Sequence, residues 1–230
     1  MIRFDNVCKK FGDKQVLAGV SFSVAKGEIL AIVGPSGTGK SVTLKHIVGL
    51  LEPDSGTVTV QEGAHIGYLF QGGALLAWLT VRENVSLPLR ETMRLGESEI
   101  AKLTDEALKA VGLEEAAERY PAEISGGMVK RAGLARAIVR HADAVLYDEP
   151  TSGLDPVTAQ TIHRLIKRLN AEQGLTSLVV THDLAGACSF ADRILLLKEG
   201  RIVLDAAPAK FLESDIPAVR EYVAASKGEL

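Results

Sequence analysis

The segment Gly34–Ser41 constrains the fold of this chain more than any other part of its 230 residues. Its sequence, Gly-Pro-Ser-Gly-Thr-Gly-Lys-Ser, fits the pattern G-x-x-x-x-G-K-[ST] of a phosphate-binding loop. An apolar run, Ile29–Val33, precedes the segment, and a helix-like run, Ser41–Leu51, follows it. A strand, a loop and a helix in that order are what the motif requires, because loop N–H groups and a helix N-terminus then face the phosphates together.

Two side chains of this loop carry the expected chemistry. Lys40 is predicted to bridge the β- and γ-phosphates of a nucleoside triphosphate, and the Ser41 hydroxyl to ligate Mg²⁺. The glycines let the backbone turn tightly and approach the ligand closely. The residues predicted to bind the nucleotide here are Gly34, Pro35, Ser36, Gly37, Thr38, Gly39, Lys40, Ser41 and Val42.

The composition narrows the class of protein. Apolar residues make up 47% of the chain, enough for a full core, and the net charge of −3 argues against nucleic acid as the main partner. Cys8 and Cys188 are expected to be free, buried thiols in a reducing compartment. No signal peptide is recognisable, and no apolar run reaches the roughly 18 residues of a membrane span. We therefore expect a cytoplasmic protein, or one attached to a membrane only through partners.

The order of the predicted elements indicates an α/β fold with a P-loop core. Short strands over residues 2–33, beginning with the alternating run Ile2–Val7, predict an antiparallel β layer. Helix and strand alternate after residue 126, which predicts a mostly parallel sheet with helices on both faces. The sharpest helix boundaries are at Pro156–Gln173, with Asp155 before the helix and Gly174 after it. We expect one domain, with its core at residues 1–71 and 142–207, an inserted helical subdomain at 72–141 and a helical tail at 208–230.

An acidic pair follows the apolar run Ala144–Tyr147, which is predicted to be a buried strand. Ligands of open α/β sheets bind at the carboxyl ends of the strands, so Asp148 is expected to hold Mg²⁺. Glu149 is expected to polarise the attacking water. A solvated acidic turn is the alternative, and the phosphate loop upstream disfavours it.

Two further polar residues follow predicted strands. Gln71 comes directly after His65–Phe70, where its amide could contact Mg²⁺ or the water. His182 follows Leu178–Thr181, where its ring could reach a γ-phosphate. Each residue type alone is more often structural, and the position at a strand end favours a functional role.

A second glycine-rich segment, Ser125–Gly127, opens a predicted helix, Gly127–His141. A serine and two glycines at a helix start form another anion-binding N-terminus. One γ-phosphate does not need two such loops from the same side. The simplest interpretation is that Ser125, Gly126 and Gly127 bind the nucleotide of a second copy in a head-to-tail dimer.

These motifs, in this order, resemble the ATPases of ABC transporters. The resemblance covers about residues 2–225 and includes Ser152-Gly153-Leu154-Asp155. It implies ATP as the nucleotide and ATP hydrolysis as the activity. It also implies that Phe11 stacks on adenine, that Ser125–Gly127 is the signature loop acting in trans, that Asp155 communicates across the dimer and that His182 is the switch residue.

Two features resemble the ATPases of MCE-type lipid transporters in particular. Met128 stands where most ABC ATPases have Gln, and the stretches Phe70–Leu76, Leu79–Val85 and Ser214–Arg220 are similar to that group. The resemblance implies phospholipid or another hydrophobic molecule as cargo. It also implies integral-membrane permease subunits, an MCE-type substrate-binding protein and a position on the cytoplasmic face of the inner membrane. The segment 56–71 is shorter than in most family members.

Three other functions stay open at the level of sequence. The cargo could be an amino acid or a lipoprotein, because the ATPase does not touch it. A soluble ABC ATPase that clamps DNA usually carries coiled-coil or basic insertions, and the compact helical segment here is not strongly basic. An accessory ATPase of iron–sulfur cluster assembly is the third.

Overall fold

Two structural units make up residues 1–227, the part of the chain that the computed structural model describes. The first unit comprises Met1–Gly63 and the chain from Thr176 onward, and the second comprises Ala64–Leu175. The last three residues of the predicted tail at 208–230 lie outside the described residues.

The secondary structure alternates as follows. The strands are β1 (Ile2–Phe11), β2 (Lys14–Val24), β3 (Ile29–Val33), β4 (Ser55–Val60), β5 (Ile66–Leu69), β6 (Ala144–Asp148), β7 (Thr176–Thr181), β8 (Arg193–Lys198) and β9 (Arg201–Ala206). The α-helices are α1 (Lys40–Ile47), α2 (Val81–Thr92), α3 (Glu97–Val111), α4 (Gly126–Ile138), α5 (Pro156–Gln173), α6 (Leu184–Phe190), α7 (Pro208–Leu212) and α8 (Pro217–Lys227). Two 3₁₀ turns, Glu114–Ala116 and Pro121–Glu123, lie between α3 and α4.

The first unit contains an antiparallel layer and a second group of strands that is parallel except for β9. In the layer, β1 lies between β2 and β4, and the stacked rings of Phe4 and Phe22, 4.5 Å apart, fill its buried face. In the second group, β3 pairs in parallel with both β7 and β8, and β9 pairs antiparallel to β8. All five side chains of β3 are buried, as its unbroken apolar sequence requires of a central parallel strand.

The second unit packs helices against a parallel pair of strands. β5 and β6 pair in register from Ile66 opposite Ala144 to Leu69 opposite Tyr147. Gly67 permits a close approach of α4, because a Cβ there would lie 2.3 Å from the carbonyl oxygen of Ala137. α2 begins with a capping box in which Thr80 and Glu83 satisfy each other's backbone N–H groups.

The predicted α/β architecture is confirmed, with corrections of detail. The cysteines are free, as expected, but both are half-buried instead of buried. α1 ends at Ile47 and not at Leu51, because the chain turns at Gly49 with φ +70°. Over residues 1–227, no helix combines the length and the apolar character that crossing a membrane requires.

Candidate nucleotide site

The phosphate loop connects β3 to α1 with the backbone that the motif predicts. Gly34, Gly37 and Gly39 have φ of +155°, +77° and +102°. A Cβ at Gly34 would lie 2.2 Å from the carbonyl oxygen of Leu197, and one at Gly39 would lie 2.9 Å from Leu17 Cδ2. Glycine is therefore required at both positions for two reasons: the backbone has a positive φ, and a Cβ would clash with neighbouring atoms and move the loop.

Lys40 lies at the first position of α1 and is buried. Its Nζ donates hydrogen bonds to the carbonyl oxygens of Gly34 at 2.8 Å and Pro35 at 3.0 Å. The ammonium group is therefore directed back over the loop and not out to solvent. This is the orientation that places a cation inside the loop, where phosphate oxygens are expected to bind.

His182 lies beside the loop in the register of the sheet. β3 and β7 end in parallel, with Val33 opposite Thr181, so Gly34 and His182 leave neighbouring strands at the same edge. The hydroxyl of Tyr222 on α8 donates to the His182 carbonyl oxygen at 3.2 Å, which ties the C-terminal helix to this strand end. The structure thus places His182 at the edge that the sequence predicted.

Phe11 lies at the turn between β1 and β2 and is 47% exposed. The ammonium group of Lys9 lies 5.8 Å from the centre of its ring. The same hairpin continues into Val16 and Leu17, which contact the loop at Gly39. An exposed ring on a strand that packs against the phosphate loop is available for stacking.

The second unit positions the acidic pair at the end of β6. Asp148 is buried, and its Oδ2 accepts a hydrogen bond from the Tyr68 hydroxyl at 3.1 Å. Burial and the Asp148 charge raise the pKa of Tyr68, so its hydroxyl stays a neutral donor. The sequence analysis missed Tyr68, because its contact with Asp148 depends on the pairing of β5 with β6, which places Tyr68 opposite Leu146.

Glu149 takes a strained backbone conformation, with φ of +48°. A residue with a Cβ rarely adopts this region, and such strain is concentrated at functional sites. The Glu149 carbonyl oxygen accepts a hydrogen bond from Lys130 Nζ at 3.3 Å and another from Ser152 N at 3.2 Å. Glu149 is therefore turned away from the direction of β6 at the first residue beyond the strand.

Gln71 lies two residues beyond β5 and is exposed. Its carbonyl oxygen accepts a hydrogen bond from Lys130 Nζ, the same ammonium group that contacts Glu149. The second unit thus brings together Gln71, Asp148 and Glu149 at the carboxyl ends of two neighbouring strands. Lys130, which the sequence analysis did not single out, lies between their backbones.

The signature segment opens α4. Ser125 is its N-cap and accepts a hydrogen bond from Met128 N at 3.3 Å, and both Ser125 and Gly126 are exposed. Gly127 is buried, and a Cβ there would lie 2.5 Å from Thr158 Cγ2 at the start of α5. Asp155 caps α5 as predicted, and its hydrogen bonds to Thr158 and Val157 hold the pKa of its carboxyl below the usual value.

The donors available for Mg²⁺ are a hydroxyl, a carboxylate and an amide, from Ser41, Asp148 and Gln71. All are hard oxygen donors, which suits Mg²⁺ held largely by phosphates and water. In the described part of the chain, no three His, Cys, Asp or Glu side chains gather into a metal-binding group. The oxygen donors that each unit carries therefore suit Mg²⁺.

The comparison with protein families decides the class. The family model described as ABC transporter matches residues 17–152, from β2 through the acidic pair to Ser152. The chain belongs to the ABC transporter ATPases. It is therefore an ATP-binding and ATP-hydrolysing subunit, as the motifs predict.

Two relatives of this ABC ATPase differ in how much of their length it spans. The intermembrane phospholipid transport system ATP-binding protein MlaF of Haemophilus influenzae is 37% identical over 100% of this chain and 91% of the relative. The methionine import ATP-binding protein MetN of Rhizobium johnstonii is 40% identical over 88% of this chain, which spans only 60% of that relative.

Among solved structures, the ABC ATPase resembles the ATP-binding cassette MJ0796. That cassette is described as a dimer in a post-hydrolysis state bound to ADP and phosphate. The TM-score is 0.82 and the identity 35%, over 90% of this chain and 99% of the other. The fold therefore matches that of a cassette which holds the products of ATP hydrolysis.

Proposed function

We propose that this ABC ATPase powers a transporter of phospholipids. The observation that carries the proposal is that MlaF matches this chain in length as well as in sequence. The alignment covers all of this chain and 91% of MlaF. The MetN relative extends well beyond the aligned part, since this chain spans 60% of it. Amino-acid import is the second candidate, because the identity to MetN is 40%.

Each site residue has a proposed role in ATP hydrolysis. The phosphate loop, with Lys40, binds the β- and γ-phosphates, and Ser41, Gln71 and Asp148 supply oxygen donors to Mg²⁺. Glu149 polarises the attacking water, and its strained backbone supports a functional constraint there. His182 contacts the γ-phosphate, and Phe11 stacks on adenine.

The proposed partner at the nucleotide is a second copy of the chain. Ser125 and Gly126 are exposed at the start of α4, as residues that bind the other copy's ATP need to be. The dimer reported for MJ0796 supports the pairing of two copies. ATP would hold two copies together head to tail, and hydrolysis would release them.

The proposed contact with a membrane permease is the loop that contains Trp78. Trp78 is 72% exposed, whereas the loop backbone is held by the buried side chain of Asn84. Asn84 accepts a hydrogen bond from Leu76 N and donates to the carbonyl oxygens of Leu76, Leu79 and Thr80. A large exposed aromatic on a rigid loop is a typical anchor of an interface. Through the permease the ATPase would be peripheral to the membrane, and an MCE-type protein would join through the same complex.

Co-purification tests the cargo and the partners. The tagged chain, expressed in its native host and extracted in mild detergent, is expected to retain a permease and co-extracted phospholipid. A permease that binds methionine or another amino acid would establish the second candidate. Recovery of soluble assembly proteins or DNA, without any permease, would overturn the transport assignment.

The phosphate loop has a direct test in Lys40→Ala. Removal of the ammonium group leaves the phosphate charge without its partner, so ATP turnover is expected to fall by a factor of about 100 or more. Lys45→Ala is the matched control, because Lys45 is an exposed lysine of the same helix. The measurement is phosphate release by the purified chain, and near-normal turnover of Lys40→Ala would contradict the assigned loop.

A further inference from the structure

Lys130 is a buried cation with no role in the hydrolysis site described so far. It lies on α4, five residues after Ser125, and only 5% of it is exposed. Burying an ammonium group is costly unless hydrogen bonds and opposite charges compensate it. Burial accordingly lowers the pKa of Lys130, while the charges of Glu149 and Asp148 act to raise it.

Lys130 contacts backbone carbonyls of two loops. These loops carry Gln71, which is expected to bind Mg²⁺ or the water, and Glu149, which is expected to polarise the attacking water. Its Nζ donates to the carbonyl oxygen of Gln71 and, at 3.3 Å, to that of Glu149. The register of β5 and β6 places residue i opposite residue i + 78, as in Ile66 and Ala144. Gln71 and Glu149 each lie two residues beyond the last pair, Leu69 and Tyr147. One ammonium group therefore spans the two neighbouring strand ends.

The helix that carries Lys130 is itself fixed closely to the Gln71 loop. A Cβ at Gly133 would lie 2.8 Å from Leu69 Cδ1 and 3.1 Å from the carbonyl oxygen of Gly73, so α4 packs directly on the end of β5. Arg136, further along α4, donates to the carbonyl oxygens of Gly73 at 2.8 Å and Ala74 at 2.6 Å. Two cations of one helix thus bind three carbonyls of the loop that starts at Gln71.

We propose that Lys130 is a positioning residue for hydrolysis. It links α4, the helix that begins at the signature loop, to the backbones of Gln71 and Glu149. Glu149 has φ of +48°, a conformation that needs support from its surroundings. The hydrogen bond of Lys130 to its carbonyl oxygen supplies part of that support. Any shift of α4 would move Lys130 and, through it, the carboxylate that polarises the water. This role rests on the proposed function of Glu149.

The test variant is Lys130→Met, which keeps the length of the side chain and removes its charge and its donors. Lys102→Met is the matched control, because Lys102 lies exposed on α3, where its contact is an ion pair to Glu106 at 4.0 Å. Loss of the two hydrogen bonds is expected to lower kcat about tenfold, with KM for ATP changed less than about twofold. Lys130→Met removes a donor from two backbone carbonyls but also removes the cost of burying a charge, so the unfolding temperature is expected to fall by only a few degrees. The kinetics are therefore measured well below that temperature.

The double variant with Glu149→Gln distinguishes positioning from general damage. If Lys130 acts through the Glu149 carboxylate, Lys130→Met is expected to slow Glu149→Gln by less than about twofold. Additive losses, a kcat of Lys130→Met equal to that of the unmodified chain, or a rise in KM without a change in kcat would each overturn the proposal. An unmodified rate in Glu149→Gln together with a slow Lys130→Met would overturn both this role and the assignment of Glu149. If Lys130→Met hydrolyses ATP at the unmodified rate while Glu149→Gln is slow, only the positioning role of Lys130 is overturned.

Discussion

At the scale of single residues, the proposed hydrolysis site contains a neutral donor, Tyr68, beside its charged groups. The Tyr68 hydroxyl donates to Asp148 Oδ2 at 3.1 Å, and stacking of its ring on Phe70, 4.3 Å away, fixes the ring. Burial and the Asp148 charge raise the pKa of Tyr68, which keeps this donor protonated at neutral pH. Tyr68 is therefore placed to orient the carboxylate that is proposed to act on Mg²⁺.

Tyr68→Phe tests this orientation. The change keeps the ring and removes one hydrogen bond to a charged group, which is typically worth about 1.5–3 kcal/mol. We expect the Mg²⁺ concentration for half-maximal ATPase activity to rise roughly threefold to tenfold, since part of that energy orients Asp148. Tyr120→Phe, at a tyrosine that is 46% exposed, is the control and is expected to leave the Mg²⁺ dependence unchanged. An unaltered Mg²⁺ titration of Tyr68→Phe would show that Tyr68 only packs.

At the scale of elements, the sequence predicted helix boundaries well where capping residues, proline or glycine mark the ends of the helix. α5 covers Pro156–Gln173 as predicted, because Asp155 caps it, Pro156 starts it and Gly174 ends it with φ of +64°. β1 was predicted only as Ile2–Val7 but continues to Phe11. Its register shifts near Asn6, where φ is +50°, so the alternation that marks a strand in the sequence is interrupted without ending the strand.

The candidate site shows the same division between local and distant signals. The phosphate loop is one continuous segment, so its residues could be named from the sequence. Lys130 and Tyr68 contact partners 59 and 80 positions away, and those contacts depend on the pairing of β5 with β6 and the packing of α4. Spacing in the sequence does not report such contacts, because they arise from tertiary register.

Asn84→Leu tests whether the side chain of Asn84 anchors the loop before α2. The side chain of Asn84 makes four hydrogen bonds to the loop backbone and is fully buried. Leucine of similar size removes the partner of the half-buried Leu76 N–H and Leu79 carbonyl, whereas the carbonyls of Leu76 and Thr80 keep a backbone donor. We therefore expect a loss of roughly 2–4 kcal/mol in the free energy of unfolding. Ser86→Ala removes one hydrogen bond from the same helix, to the Glu83 carbonyl oxygen, and is expected to cost about 1 kcal/mol.

Urea unfolding measures both variants, and the fluorescence of Trp78, the sole tryptophan of the chain, follows the loop itself. Trp78 is 72% exposed in the folded protein, so its emission already resembles that of a solvated indole. We expect acrylamide quenching to increase further in Asn84→Leu and to stay constant in Ser86→Ala. Equal stability of the two variants would contradict the role of Asn84 as the anchor of this loop.

At the scale of the whole molecule, two copies of the chain are proposed to form a clamp, a head-to-tail dimer that ATP holds together until the ATP is hydrolysed. Glu149→Gln keeps the shape of the side chain and removes the carboxylate that polarises water. Loss of a general base typically lowers the rate about 10²–10⁴-fold. Because the γ-phosphate then stays intact between Lys40 of one copy and Ser125 of the other, we expect the variant to accumulate as a dimer with ATP and Mg²⁺.

The control for this last prediction is Glu199→Gln. Glu199 also has a left-handed backbone, with φ of +51°, but it is exposed in the turn between β8 and β9 and is not a proposed site residue. It therefore matches Glu149 in residue type and in backbone strain, and is expected to hydrolyse ATP at the unmodified rate without trapping a dimer. Size-exclusion chromatography with and without ATP, beside phosphate release, measures both properties. A Glu149→Gln chain that stays monomeric at saturating ATP would remove the clamp, whereas one that dimerises but hydrolyses normally would remove only the role of Glu149.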